Sequence, residues 1–153
     1  MRPEYSVSVQ TVTARPIAAV RARIRVGSVS AAFKPCLDQV YAARAQGIQL
    51  DGQNIFLYRA VSDAKGVVDA EFGVGATAPF TSVGSVVYSQ LPSGEAATAT
   101  HWGDYATLGD AHDAVVAWCH ANGRELSGTS WEVYGHWTGN PADQRTDVFY
   151  LLG

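Results

Sequence analysis

The chain has 153 residues, 47% of them hydrophobic, and 11 Lys and Arg against 14 Asp and Glu give a net charge of -3. That length suits one compact domain or two half-sized units sharing a core, and a slightly acidic chain with scattered arginines is a poor match for a nucleic-acid backbone. With 16% charged residues it is too apolar for disorder and too interrupted by Gly and charge for a membrane span.

In chain order, Met1 to Ser6 shows no apolar run of the kind that makes a secretory signal, so a soluble cytoplasmic protein is expected. Tyr5 to Thr13 alternates Val7 and Val9 with Ser6, Ser8 and Gln10, the period of a strand, and Pro16 to Arg25 predicts a second strand. Val29, Phe33, Cys36, Leu37 and Val40 then take helical spacing, and Gly47 stops the helix. Pro35 predicts that the regular helix begins only a residue or two before it, because Pro is tolerated only in a first turn. Two strands follow, Asn54 to Ala60 and Val67 to Val74, joined by a loop at Ser62 to Gly66.

The second half runs through the same order. Strands are expected at Ser85 to Gln90 and, after a turn at Leu91 to Gly94, up to His101. Tyr105, Leu108, His112, Val115, Val116 and Cys119 mark a helix with Asp104 as its N-cap and Gly123 as its stop. Trp131 to Trp137 and Asp147 to Leu152 close the chain as strands.

This order is a repeat. Gly47 to Gly52 and Ile55 to Tyr58 match Gly123 to Gly128 and Trp131 to Tyr134 at an offset of 76 (47 to 123, 58 to 134). Pro16 to Val20 is matched to Gly94 to Thr98, and Phe72 to Gly75 to Tyr150 to Gly153, at an offset of 78 (16 to 94, 72 to 150). The expected fold is α+β: a tandem, pseudo-two-fold repeat of a ββαββ-like unit, with antiparallel sheets, two helices and a ligand groove between the halves. One domain spans 1–153, with repeat one at about 5–75 and repeat two at about 84–153, leaving no room for a DNA-binding domain.

His101 to Tyr105, Trp118 in the helix, Asn122 to Gly128, and Trp131 to Tyr134 together resemble the GyrI-like small-molecule-binding domain, which also serves as the effector-binding domain of AraC-type and BmrR-type regulators. The resemblance spans nearly the whole chain, with the first half as the weaker repeat. It implies binding of small aromatic, cationic or lipophilic compounds, as in drug or toxin binding. It also implies an alternative, since some members of the family hydrolyse strained cyclopropane rings in DNA-alkylating natural products. A third reading is a gyrase-inhibitor-like interaction module, although 14 spread acids are few for mimicry of DNA.

Glu132 is the leading site candidate. It interrupts an apolar strand, and strand alternation puts Glu132, Tyr134 and His136 on one face and Trp131, Val133 and Gly135 on the other. The first repeat has Phe56 at the equivalent position, followed by Leu57 and Tyr58. A carboxylate among aromatic rings is costly to bury unless compensated, and a cationic ligand is one compensation. Stacking such a cation on Tyr or Trp adds roughly 0.5 to 2 kcal/mol per good contact. The expected ligand-binding set is Glu132 and Tyr134 with Phe56, Tyr58, Trp102, Tyr105, Trp137, Asp147 and Phe149. In the hydrolase alternative, a cyclopropanoid cyclopropyl hydrolase, Glu132 is the general base and Tyr134 its catalytic partner, a tyrosine or histidine beside the acid donating a proton or orienting the substrate.

No metal or cofactor is expected. His101, His112, His120 and His136 have no zinc-site spacing, and His112 reads as a hydrogen-bonded core histidine on the apolar stripe of its helix. Cys36 and Cys119 read as reduced packing residues, and Gly73-Val74-Gly75 lacks the third glycine of a dinucleotide fingerprint. The expected partner is a small molecule, with neither nucleic acid nor membrane. The 4 Trp, 7 Tyr and 5 Phe are more aromatics than a core this size requires.

Overall fold

The computed structural model describes residues 5–61, 65–136 and 138–153. Eight strands and two α-helices make up the regular structure there: β1 (Ser8–Val12), β2 (Arg15–Arg25), α1 (Val29–Ala42), β3 (Leu50–Ala60), β4 (Val67–Ala76), β5 (Val86–Leu91), β6 (Gly94–Trp102), α2 (Leu108–Ala121), β7 (Leu126–Tyr134) and β8 (Arg145–Leu152). The fold is α+β with antiparallel strand pairing. Ser62 to Ala64, within the loop expected after β3, lie outside the described residues.

The chain divides into two compact units, and they do not coincide with the sequence repeats. One runs from Ala14 to Leu91 and orders its strands β3-β4-β2-β5. The other combines the chain up to Thr13 with Pro92–Gly153 and orders its strands β1-β6-β8-β7. Each repeat lends a strand to the other unit: β1 pairs with β6, and β5 pairs with β2. Apart from this exchange the units are copies, each with a strand, a helix and a hairpin in sequence.

The copies agree in detail. Both hairpins slip register at one point, between Leu50 and Asn54 and between Leu126 and Ser130, 76 residues apart. Gly52 at φ 82° and Gly128 at φ 96° lie in these slips, a backbone that residues with a Cβ avoid. Phe56 stands opposite Phe72 and Glu132 opposite Val148, so the offset of 76 extends through the last strand (72 to 148). The expected offset of 78 there is corrected. The helices, 29–42 and 108–121, differ by 79, as do Ala18 and Ala97 on the strands before them, whose partners Val74 and Tyr150 keep the offset of 76.

Gly123 at φ 65° stands just past the end of α2 as expected, whereas α1 ends at Ala42 and a short 3-10 turn, Ala43–Gln46, carries the chain on to Gly47 at φ 93°. Asp104 caps the turn before α2 by accepting from the Ala106 N–H. The expectation for Pro35 does not hold, because α1 begins six residues earlier, at Val29, and Pro35 lies inside it. The proline removes the N–H that would bond the Ala31 carbonyl, and both residues lie on the exposed side of the helix, where losing that bond costs least. Among the described residues no helix is long and apolar enough to cross a membrane.

In the second unit α2 covers one face of its sheet. Leu108, Ala111, Val115 and Cys119 of the helix pack on Ala97, Ala99 and Val148, with Tyr5, Trp118, Tyr134 and Tyr150 at the margin. Cys119 is buried and Cys36 half-buried, and both are free thiols. In the first unit α1 lays Phe33 on Phe56, whose ring meets Phe72 edge-on at 4.9 Å. The opposite face of that sheet carries ion pairs, Arg23 with Asp69, and Arg59 and Arg21 with the buried Glu71.

Candidate functional site

Alternation along β7 sends Glu132 and Tyr134 toward α2, because their partners Val148 and Thr146 belong to the face that the helix covers. Glu132 is 5% exposed. Its Oε1 accepts from the Tyr134 hydroxyl at 2.6 Å, the two side chains being neighbours on one face of the strand. Its Oε2 lies 2.6 Å from Nε2 of His112, on the inner side of α2. The other ring nitrogen of His112, Nδ1, lies 2.6 Å from the hydroxyl of Tyr150 on β8.

The partners determine the proton arrangement. An ionised carboxylate only accepts, so His112 Nε2 carries a proton toward Glu132. In a neutral ring Nδ1 is then an acceptor, and Tyr150 donates to it. Tyr150, His112, Glu132 and Tyr134 thus form one unbroken chain of three hydrogen bonds, each 2.6 Å long. Burial pushes the Tyr150 phenol well above its ordinary range, and the negative charges of Glu132 and Asp113 add to the shift. Tyr150 is therefore held as a phenol, a donor and not a phenolate.

Three further residues, Gln144, Tyr105 and His101, surround this constellation. Gln144, fully buried, donates through Nε2 to the Gly135 carbonyl at 2.9 Å, and the Gly135 N–H donates to the Arg145 carbonyl at 2.8 Å, which fixes the chain just beyond Tyr134. Tyr105 meets Tyr134 edge-on with ring centres 5.5 Å apart, while remaining 46% exposed. His101, also fully buried, accepts from Tyr5 at 2.8 Å through Nδ1 and donates through Nε2 to the Asp104 carbonyl at 2.9 Å. It ties β6 to the start of α2 and is fully engaged in doing so.

Of the residues expected at the site, the structure brings Glu132, Tyr134 and Tyr105 together. Phe56 and Tyr58 belong to the first unit, where both pack on Phe72. Asp147 and Phe149 alternate with Val148 and Tyr150, so they face away from Glu132. There Phe149 stacks on Trp131 at 5.3 Å, and Asp147 accepts from Thr100 at 2.6 Å and pairs with Arg145 at 3.1 Å. Trp102 shares that outer side, 60% exposed beneath the Arg145 guanidinium. Trp137 lies outside the described residues.

Two residues of the hydrogen-bonded chain, His112 and Tyr150, were absent from the expected set. His112 is the hydrogen-bonded core histidine its position implied, but the bond runs to the candidate carboxylate. At an offset of 79 its counterpart is Phe33 (33 to 112), and Phe33 contacts Phe56, the counterpart of Glu132. The first unit therefore closes this position with two phenyl rings, and the second with an acid and a base.

Comparison with known proteins now bears on this arrangement. Residues 5–151 match the model of the GyrI-like small molecule binding domain, and the chain belongs to that family. No curated protein matches the sequence. Among solved structures, the EcmrR C-terminal domain is 20% identical with a TM-score of 0.78, covering 97% of this chain and 98% of that one. SAV2435 bound to tetraphenylphosphonium is 12% identical with a TM-score of 0.74, covering 99% and 94%. A hydrolase from Listeria innocua is 12% identical with a TM-score of 0.55, covering 99% and 94%. These likenesses show the shared fold; the family match makes this a small-molecule-binding domain.

Proposed function

We propose that this chain binds small aromatic compounds, lipophilic cations foremost, against the helix-facing carboxylate of Glu132. The observation that carries this reading is a buried carboxylate bonded to Tyr134, on which Tyr105 packs, and linked through His112 to Tyr150, in the unit whose copy has Phe56 in its place. The rings offer π faces and edges, and the carboxylate offers charge in a medium poor in water, where a cation gains most from both. SAV2435, with the same fold, was solved with such a cation bound, which supports the class of ligand. His112 and Tyr134 meet part of the cost of burying Glu132, so the site stands ready without a ligand.

Titration with tetraphenylphosphonium, followed by tryptophan fluorescence, tests the reading. Glu132→Gln is expected to weaken the cation about tenfold or more, a loss of about 1.4 kcal/mol, while neutral triphenylphosphine oxide changes little. An equal loss for both ligands would remove charge from the account.

The continuous chain from Tyr150 to Tyr134 favours a second reading, hydrolysis of a strained electrophilic ring. Glu132 would take a proton from water as the oxygen attacks a ring carbon. The breaking carbon–carbon bond would deliver its electron pair to the substrate's conjugated acceptor, protonated there by Tyr134. The fold shared with the Listeria innocua hydrolase supports this reading. A product heavier by one water, formed by the native chain and not by Glu132→Gln, is the expected signature.

A further inference from the structure

We infer that His112 sets the charge that the Glu132 site presents, so that binding a cation there expels a proton from the protein. The inference rests on the binding reading above and adds to it a specificity-determining residue. Glu132 Oε2 and His112 Nε2 are 2.6 Å apart, with the histidine side chain 20% exposed and the glutamate 7%. With His112 neutral, the pair carries one negative charge. Once His112 gains a proton, the same two side chains form an ion pair with no net charge, and an incoming cation meets a neutral dipole. A ligand that prefers one of two protonation states must shift the equilibrium between them, so cation and proton compete for Glu132 without occupying the same place.

The surroundings allow this exchange without rearrangement. Tyr150 can donate to Nδ1 of the neutral ring or accept from the N–H of the charged one across the same 2.6 Å, staying a phenol in both cases because burial and nearby acids hold its proton. Among the described residues, His112 is bonded to Glu132 of β7 and Tyr150 of β8, Tyr134 reaches it through Glu132, and Asp113 and Cys119 of its own helix act on Tyr150. His101 of β6 and Tyr5 lie under the same helix and are bonded to each other. The first unit gives the contrast: its Phe33 and Phe56, in the corresponding places, can hold neither a proton nor a charge.

The test uses the full chain and the same two probes, tetraphenylphosphonium and neutral triphenylphosphine oxide, at a series of pH values over which the chain stays folded. Affinity for the cation is expected to rise with pH, by up to about tenfold per unit where His112 is protonated, and then to level off. Affinity for the neutral probe is expected to stay flat. His112→Gln keeps an N–H for Glu132 but cannot titrate, so its cation affinity should show no slope over the same range. Calorimetry in two buffers of different ionisation enthalpy counts the proton directly, and needs only the native chain. It is expected to find release of up to one proton at low pH.

The same pH slope in His112→Gln as in the native chain, or no proton released by the native chain, would overturn the assignment to His112 while leaving binding intact. Absence of cation binding at every pH would overturn the binding reading itself, and this inference with it.

Discussion

Glu132 has a donor on each oxygen, and the donors differ in kind. Tyr134 comes from the same strand two residues on, so its bond is local and forms whenever β7 is extended. His112 comes from α2 and is backed by Tyr150 of β8, so this bond depends on helix and sheet being docked. Tyr150 makes that dependence measurable. Its phenol is raised above the ordinary value of 10.0, first by burial and then by the charges of Glu132 and Asp113. The folded chain thus holds this proton more tightly than the unfolded chain does. Above about pH 10 the unfolded state sheds it first, so the stabilisation is intact below that pH and is lost as pH rises. Urea unfolding at rising alkaline pH should show a steeper decline for the native chain than for Tyr150→Phe. The variant itself should cost about 1 kcal/mol at neutral pH through the lost bond to Nδ1. Tyr5, Tyr41 and Tyr105, also raised mainly by burial, remain in both proteins, so parallel declines would take Tyr150 out of the account.

The elements follow from local chemistry where a single residue decides, and depart from it where neighbours do. Gly123 ends α2 as expected because a left-handed residue cannot continue the helix, while at Gly47 the same conformation ends the 3-10 turn that follows α1. Pro35 misled because the rule against interior prolines assumes a carbonyl left without a partner. Ala31 and Pro35 lie on the solvent face of α1, where a lost backbone bond costs least, and the apolar stripe through Leu37 and Val40 holds the helix on its core. That tolerance has a cost. Pro35→Ala restores one helical bond and relieves the steric conflict, about 3 kcal/mol at most, against about 1 kcal/mol from a less restricted unfolded chain. A net gain of about 1 to 2 kcal/mol is expected, seen as a higher thermal midpoint. An unchanged midpoint would mean that the helix already bends freely around the proline. The strand exchange was invisible for a different reason: β1 and β5 alternate alike, and alternation specifies a face without naming a partner strand.

Across the whole molecule, duplication made half of the candidate site legible. Glu132 stood out because its counterpart is Phe56, a contrast that needs only the offset of 76. His112 and Tyr150 did not, because an offset of 78 would match His112 to the exposed Lys34, whereas the structural offset of 79 matches it to Phe33. One residue of misalignment conceals the fact that acid and base replace two packed rings. If the site is one such unit, the exchange can be reversed. Glu132→Phe alone removes the acceptor of His112 Nε2, and His112→Phe alone leaves a buried carboxylate with less compensation. Each should cost about 2 to 4 kcal/mol. In His112→Phe/Glu132→Phe the new rings meet each other as Phe33 and Phe56 do, at 5.5 Å in the first unit. Space is comparable, since the second unit has Val148 where the first has Phe72, and Tyr150 where the first has Val74. The double variant should therefore recover about 2 kcal/mol relative to the sum of the single losses, less the bond that Tyr150 forfeits, and should bind no cation. Urea denaturation of the four proteins measures this coupling, and strictly additive losses would mean that Glu132 and His112 are independent residues that happen to touch.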